Sequence, residues 1–331
     1  QYAVENGNLG IVKYLIKNGA DIHGENDWGV RIAAQYGYLG IVKYLVENGA
    51  NIHYNHEDAL VNAAYMGHLN VVKYLVEHDA DIHADDEHAL RFAAENGHLN
   101  IVKYLIKNGA NTHAENDEAI RKAANNGHLE VLKCLYENGD DIHGWSEELL
   151  FSAAKYNYLD IIKYLHKHGV NIHAKKDWAL RCAAEHGFLD IVKYLCENNN
   201  SRPSRNDAAI RNAAENAHLE VVKYLTEIGT DIHLENEYIL KRAAYCGYLD
   251  IVEYLVENGA DIHAENDMAF RNAAAYEYLD IMKYLVKYGA DIHADDDWAL
   301  RFAAENGYLC SVKYLIENGA NINACNGYAL I

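Results

Sequence analysis

Apolar and polar positions along this chain repeat with a period of 30 residues. Within residues 81–110, apolar side chains recur three and four positions apart around Ala93, and again from Leu99 to Lys107. This spacing is typical of helices with one buried face. The pattern therefore predicts two short antiparallel helices in every repeat, with small alanines that let the helices approach closely.

Cap signals place the ends of these helices. We expect the first helix to begin near Asp86 as its N-cap, because Asn, Asp or Ser recurs there. Gly97 and the pair Asn108-Gly109 should end the two helices as left-handed caps. The link from Ala110 to Glu115 is too short for a strand pair, so a tight turn or a reduced hairpin is predicted.

The segment Ile11–Leu15 marks the register of the whole chain. It recurs with small variations every 30 residues as far as 311–315. A fixed period of this kind indicates stacked repeats, because one repeat cannot bury its own apolar face. We predict one array over residues 1–331, with ten full repeats in 21–320, a partial repeat in 1–20 and another in 321–331. The chain begins mid-repeat without methionine, and we expect a piece of a longer protein.

These motifs resemble ankyrin repeats over the whole chain. The matching segments are 93–99 (AAENGHL), 101–105 (IVKYL) and the Gly109-Ala110 turn. The resemblance implies an all-α ankyrin-repeat solenoid, a curved stack of paired helices about 100 Å long. Each repeat is shorter than the usual ~33 residues, and Trp298-Ala-Leu-Arg301 stands where the family has Thr-Pro-Leu-His. Shortened turns are therefore expected. The repeats are also similar in style to those of giant DNA viruses that infect amoebae.

Charge and composition narrow the function classes. The formal net charge is −20, from 29 Lys and Arg against 49 Asp and Glu. An acidic surface disfavours nucleic acid and anionic membranes and favours basic or polar partners. The six cysteines form no C-x-x-C pair, as expected for reduced thiols in the cytoplasm, or in the host cytoplasm of a viral protein. No apolar run approaches the ~20 residues of a membrane span.

Histidine recurs at the third position of the repeat, as in His23, His53 and His83. One interpretation is a structural ladder in which the imidazole, like Asn323, ties neighbouring turns together. A pH-sensitive ladder and a metal array are the alternatives. Equivalent residues in adjacent repeats lie about 10 Å apart, too far to share an ion, so we predict no metal site and no cofactor. Modification of this position by hydroxylation is a further hypothesis.

Basic residues form two more ladders. Arg31, Arg121 and Arg301 follow an acid four residues earlier, and we expect Asp27–Arg31-type pairs within one helix. This arginine ladder is interpreted as structural, with an anion-binding stripe as the alternative. Lysines equivalent to Lys43 should form a solvated stripe on the second helices.

Ankyrin arrays bind partners through turn tips and the exposed face of the first helix, and these positions vary most here. Aromatic and arginine residues are the usual interface anchors. Some tip aromatics could instead pack on the neighbouring repeat. The predicted partner-binding residues are Trp28, Phe92, Trp145, Tyr156, Trp178, His186, Arg202, Arg205, Tyr238, Arg242, Tyr245, Trp298 and Phe302.

The most irregular stretch is 141–210. Asn157 replaces the usual glycine, Lys175 and Lys176 make the region locally basic, and Pro203 occupies a histidine position. Proline lacks an N–H, so we predict a loosened turn at 198–206, which is either a neutral defect or a recognition site.

No nucleophile elbow, phosphate loop or metal motif is present. We therefore predict a non-catalytic scaffold, expected to be monomeric, that binds a protein. The alternatives are an adaptor that recruits substrates to a ubiquitin ligase and a structural component of a virion.

Overall fold

The computed structural model describes residues 2–198 and 206–324, which contain 22 helices and no strand. The all-α prediction is confirmed. By its internal contacts the chain divides into two compact bodies, Gln1–Asn171 and Ile172–Ile331. We describe each body separately.

The helices alternate between the first and second helix of each repeat. In the first body they are α1 (Tyr2–Glu5), α2 (Leu9–Lys17), α3 (Gly24–Gln35), α4 (Leu39–Glu47), α5 (Tyr54–Met66), α6 (Leu69–Glu77), α7 (Ala84–Glu95), α8 (Leu99–Lys107), α9 (Ala114–Asn125), α10 (Leu129–Glu137), α11 (Ser146–Lys155) and α12 (Leu159–Lys167). In the second body they are α13 (Ala174–Glu185), α14 (Leu189–Glu197), α15 (Asp207–Glu215), α16 (Leu219–Glu227), α17 (Leu234–Cys246), α18 (Leu249–Glu257), α19 (Ala264–Ala275), α20 (Leu279–Lys287), α21 (Ala294–Glu305) and α22 (Leu309–Glu317).

The core of each body lies between its first and second helices. In the repeat 81–110, Ala93 and Ala94 of α7 are fully buried, as are Val102 and Leu105 of α8. Alanine contributes little area, so most of the hydrophobic stabilisation comes from the second helix, at about 25 cal/mol per Å² of apolar surface buried. The inward-facing set predicted from the sequence thus forms the core.

Both helices of a repeat end as predicted. At the end of α7, Gly97 has φ +75°, its N–H donates to the Ala94 carbonyl, and the His98 N–H donates to the Ala93 carbonyl. This pair of bonds is a Schellman cap. Asn157, which replaces the glycine in its repeat, adopts φ +64° and fills the same role.

The cap glycines also allow close packing between repeats. The His68 ring lies over Gly37, where a Cβ atom would meet Nδ1 at 2.5 Å. His68 Nε2 then donates to the Gln35 carbonyl over 2.9 Å. The positive φ of +73° and the stacked ring both require glycine at position 37.

The turn before the first helix is left-handed in most of the described repeats. In α7, Asp85, Asp86 and Glu87 have φ of 50°, 52° and 64°. Equivalent triplets occur in eight repeats. The predicted N-cap role of Asp86 is therefore wrong, because a capping residue needs extended backbone and Asp86 is left-handed, with φ 52° and ψ 55°. The tight-turn prediction is confirmed, since no strand forms in the described turns.

Arginines of the first helices stabilise this turn. In α7, Arg91 donates from Nη2 to the Asp85 carbonyl at 2.8 Å and from Nε to the Asp86 carbonyl at 2.9 Å. It also pairs with Glu118 of the next repeat. The predicted Asp27–Arg31 type of pair is wrong. The left-handed turn points the acid towards the histidine before it and leaves the arginine facing the turn carbonyls.

The lysines of the second helices lie over tyrosines of the following repeat. Lys43 Nζ is 5.4 Å from the centroid of the Tyr74 ring, and Lys73 Nζ is 5.8 Å from that of Tyr104. Such cation–π contacts contribute about 0.5–1 kcal/mol each at exposed sites. The lysine stripe is thus partly structural.

Candidate interaction surface

The predicted partner-binding residues lie on the first helices and the turn tips that precede them. In the first body the best-formed group surrounds Phe92 on α7. Its ring centroid is 4.3 Å from that of His88 and 5.4 Å from that of Tyr65 on α5, which meets it edge-on. Tyr65 is 42% exposed and was not among the predicted residues. The position of Tyr65 near the end of a first helix would have allowed its prediction as a partner-binding residue.

Trp145 forms a second group in the first body. Its Nε1–H donates to Asp117 Oδ2 at 2.9 Å, and the Arg121 guanidinium lies 4.6 Å from its ring centroid. Trp145 is half-buried. The contact with Asp117, 28 residues earlier, shows that this tip aromatic packs on the neighbouring repeat.

The other two predicted residues of the first body differ in exposure. Trp28 is half-buried and lines an apolar cavity of about 290 Å³ with Val12 and Leu45. Tyr156 is 50% exposed, with Lys155 Nζ 5.2 Å from its ring centroid. Tyr156 is therefore the more accessible of the two.

In the second body, an aromatic and arginine cluster spans α15, α17 and α19. The Arg242 guanidinium lies 4.9 Å from the Tyr245 ring centroid. Tyr276 of the next repeat meets Tyr245 edge-on at 4.5 Å. Glu215 holds the cluster from the other side, because it accepts a hydrogen bond from the Tyr238 hydroxyl and lies 3.7 Å from Arg242 Nε.

The remaining predicted residues do not join that cluster. Trp298 and Phe302 stack with centroids 4.7 Å apart on α21. His186 is exposed, and its ring stacks on Phe188 at 5.6 Å. Trp178 is half-buried on α13. Arg202 and Arg205, with most of the predicted loosened turn, lie outside the described residues.

Each of eight histidines at the third position contacts the acid four residues later. His83 Nδ1 is 2.6 Å from Glu87 Oε1, and His233 Nδ1 is 2.5 Å from Glu237 Oε1. These hydrogen bonds raise the pKa of His83 and of His233 above the ordinary value. The acids are buried while the histidines are about half exposed. These contacts stay within one repeat.

In several repeats the acids connect neighbouring turns, whereas in one the histidine does so, because His173 Nε2 lies 3.2 Å from the Asn198 carbonyl oxygen. Asp27 Oδ1 accepts the backbone N–H of Asn51 at 2.8 Å, and Asp267 Oδ1 accepts that of Asp291 at 2.9 Å. The expectation that the imidazoles tie the turns together is wrong for these pairs. A buried carboxylate with a backbone N–H and an imidazole N–H is well satisfied.

The turn tips carry many of the exposed acids, some of which, such as Glu235 and Glu265, pair with cations of the first helices. Asp85 and Asp86 are exposed, and so are Glu115, Glu235 and Glu265 at the equivalent tips. The exception is α13, where Lys175 and Lys176 occupy the tip and Lys176 lines an open groove of about 500 Å³ with Arg181 and Arg211. The surface is therefore acidic at most tips and basic at one.

Comparison with protein families identifies the chain. A model of ankyrin repeats in three copies matches residues 30–116, 83–144, 120–207, 198–266 and 240–326, and a single ankyrin repeat model matches 1–27. The chain belongs to the ankyrin repeat family. Ankyrin repeats are generally protein–protein interaction modules, and ankyrin repeat proteins are typically non-catalytic scaffolds. No curated protein matches the chain.

Helix length bears on membrane association. None of the helices in residues 2–198 and 206–324 is long and apolar enough to cross a bilayer.

Proposed function

We propose that this ankyrin array is a non-catalytic scaffold that binds a protein partner through its turn tips and the exposed face of its first helices. The observation that carries the proposal is the cluster around Arg242. Tyr245 and Tyr276 come from successive repeats and remain 38% and 46% exposed while their rings are in contact. Tyrosine and arginine held in place with one face open form a typical binding hot spot.

The charge distribution favours a partner with basic groups. Most cations of the first helices are engaged within the array: Arg271 pairs with Asp295, Lys241 with Glu265 and Arg211 with Glu235. Acids still outnumber cations over the whole chain, which has a formal net charge of −20. A basic or polar protein segment would be attracted to this surface, and nucleic acid would be repelled.

Affinity capture with quantitative mass spectrometry tests this proposal. The bait is the full chain, compared with the double variant Tyr245→Ala/Tyr276→Ala. The matched control is Tyr14→Ala/Tyr288→Ala, which removes two exposed tyrosines (69% and 43%) at second helices. We expect at least a tenfold loss of the specifically enriched protein for the face variant, no loss for the control, and weaker capture at high salt.

Circular dichroism of each variant verifies that the array remains folded. Equal enrichment by both double variants would contradict a first-helix binding face. Capture that strengthens with salt would contradict a basic partner.

A further inference from the structure

Two buried polar residues interrupt the apolar ladder at one place in the first body. Asp140 stands where six of the described repeats have alanine before the next turn, and Thr112 stands where the other described repeats have isoleucine. Both side chains are buried, Asp140 with 2% and Thr112 with 6% relative exposure. Thr112 and Asp140 face each other in one repeat. Two polar residues that meet in this way indicate a local functional role rather than chance variation at a single position.

The Asp140 carboxylate is buried without the partners that a charge requires. Its side chain is fully buried, and apart from the neighbouring Thr112 hydroxyl neither oxygen has a hydrogen-bond partner among the described residues. The nearest charged atom is His113 Nδ1, 3.5 Å from Asp140 Oδ1. Leaving a buried carboxylate unpaired costs several kcal/mol, so burial favours either protonation of Asp140 or a compensating positive charge beside it.

The neighbouring His113 and Asp117 complete a cluster of potential ligands. His113 Nδ1 lies 2.7 Å from Asp117 Oδ1. The Trp145 indole holds the other oxygen, Oδ2, at 2.9 Å and so fixes the carboxylate. One ligand atom from each of His113, Asp117 and Asp140 lies within 4.8 Å of the other two.

We propose that His113, Asp117 and Asp140 bind a divalent transition-metal ion of the zinc type. Ligand atoms around such an ion lie about 3.4 Å apart when the bonds are ~2.1 Å long. The 2.7 Å and 3.5 Å separations bracket that value. Small side-chain movements would therefore form the site. Since the His113 side chain is 55% exposed, solvent water can supply the fourth ligand.

The charge balance supports an ion at this position. On binding, the Nδ1 proton of His113 leaves to solvent and the metal takes its place between the imidazole and Asp117. Two carboxylates and one divalent ion then sum to zero, which removes the cost of the buried Asp140 charge. The imidazole and carboxylate donors suit zinc and cobalt better than magnesium or calcium, which prefer sites made of oxygen alone.

Six of the equivalent pairs have alanine where the third ligand would lie. Next to His83 and Glu87 the matching position is Ala110, and Ala50, Ala80, Ala260, Ala290 and Ala320 occupy it beside five other pairs. Equivalent histidines in adjacent repeats are too far apart to share an ion, which argued against a metal array. This cluster instead joins three different positions of the repeat, and that spacing argument does not apply to it.

Protonation of the ligands predicts how the metal affinity of the site depends on pH. Burial raises the pKa of Asp140 to about 6, against the opposing effects of the neighbouring Thr112 hydroxyl and of His113, while Asp117 acts in the same direction as burial. The hydrogen bond to Asp117 raises the pKa of His113. Protons therefore compete with the metal at both ligands, and affinity should rise as pH increases from 6 to 8.

Calorimetric titration of the metal-free full chain with Zn²⁺ tests the site, with Co²⁺ absorption as a probe of coordination. The variants are Asp140→Ala, which restores the alanine of the other repeats, and His113→Asn, since Asn323 naturally occupies that position. The matched control is His83→Asn. We expect one ion per chain, at least a tenfold loss of affinity in both site variants, and unchanged affinity in the control.

Trp145 provides a second readout. In a background of Trp28→Phe, Trp178→Phe and Trp298→Phe, its fluorescence should change on addition of Zn²⁺ and not in Asp140→Ala. Unchanged Zn²⁺ affinity in Asp140→Ala, an equal loss in His83→Asn, or equal affinity for Mg²⁺ would overturn the proposal in favour of diffuse binding to surface acids. Absence of Zn²⁺ binding to the wild-type chain would overturn it outright.

Discussion

The turns of the two neighbouring repeats 81–110 and 111–140 differ in buried polar residues, most of all at the position of Ala110 and Asp140, and therefore in their chemistry. In the first, His83 pairs with Glu87 and the adjoining position is Ala110, which is 8% exposed. In the second, His113 pairs with Asp117 and the adjoining position is Asp140. Placing a carboxylate at the alanine position adds a second acid beside the histidine–acid pair and groups three potential ligands.

The following turn differs in its backbone as well. The triplet 115–117 is left-handed, whereas α11 begins directly at Ser146 and Trp145 has φ −107°. A left-handed residue costs roughly 1–2 kcal/mol, and the carbonyl bonds from Arg121 to Glu115 and Asn116 offset part of that strain. Periodic turns thus carry strain that their side chains compensate, and the turn at 143–146 avoids it.

The largest expected effect on stability comes from placing a carboxylate at position 110, in the repeat 81–110. Ala110→Asp should destabilise the chain by about 3 kcal/mol at pH 8, because it buries a charge beside Ile82 without a hydroxyl neighbour. Urea unfolding measures the change. Ala110→Ser serves as the control for size, and similar losses in both variants would show that volume rather than charge is responsible.

The reverse change should stabilise the chain. Asp140→Ala removes a carboxylate whose pKa is raised from 3.8 to about 6. The folded state therefore binds more protons than the unfolded state between those values, so wild-type stability falls as pH rises through 6. In EDTA at pH 8 the variant should be more stable by about 1–3 kcal/mol, and the gap should close towards pH 4. A gap of constant size would mean that titration of Asp140 contributes nothing.

Glycine substitution should change the stability of the chain in opposite directions in the left-handed turn at 115–117 and at the right-handed start of α11. Asn116→Gly should stabilise the chain by up to ~1 kcal/mol, because Asn116 has φ +56° and glycine adopts this region without strain. Ser146→Gly, at the equivalent position in a right-handed helix, should destabilise it by about 0.5 kcal/mol. Thermal unfolding of both variants provides the measurement. Changes of the same sign would contradict the difference in backbone handedness.

The smallest effect concerns the histidine–acid pairs. Since Glu87 raises the pKa of His83, the pair stabilises the fold fully below the ordinary histidine pKa, and this contribution is lost as pH rises through the raised value. The exposure of the histidine limits the contribution to a few tenths of a kcal/mol. His83→Asn/His233→Asn should flatten the decline in stability between pH 6 and 8 in urea titrations. An unchanged slope would argue against the pairs as its source.

Helix positions and helix ends were predictable because their causes are local. The spacing of Val102 and Leu105 marks a buried face, and Gly97 marks a left-handed cap. The partners of charged side chains were not predictable in the same way. Asp27 can reach either His23 or Arg31 by spacing alone, and only the left-handed turn decides for His23.

The candidate surface was partly predictable. Phe92, Tyr245 and Trp298 vary against a constant repeat, and that variation pointed to the first helices. Their contacts with Tyr65 and Tyr276 join different repeats and depend on how the helices stack. Asp140 was visible as an exception to the alanine ladder, but its position beside His113 follows only from the folded turn.

The sequence by itself determined the repeat period, the two helices of each repeat and the family, because stacked identical patterns need only local propensity and a shared apolar face. The tertiary structure decided the handedness of the turns, the choice of His83 rather than Arg91 as the partner of Glu87, and the meeting of His113, Asp117 and Asp140. The first two depend on the backbone torsions of the turn and the third on a contact between residues far apart in the chain, and periodicity specifies neither.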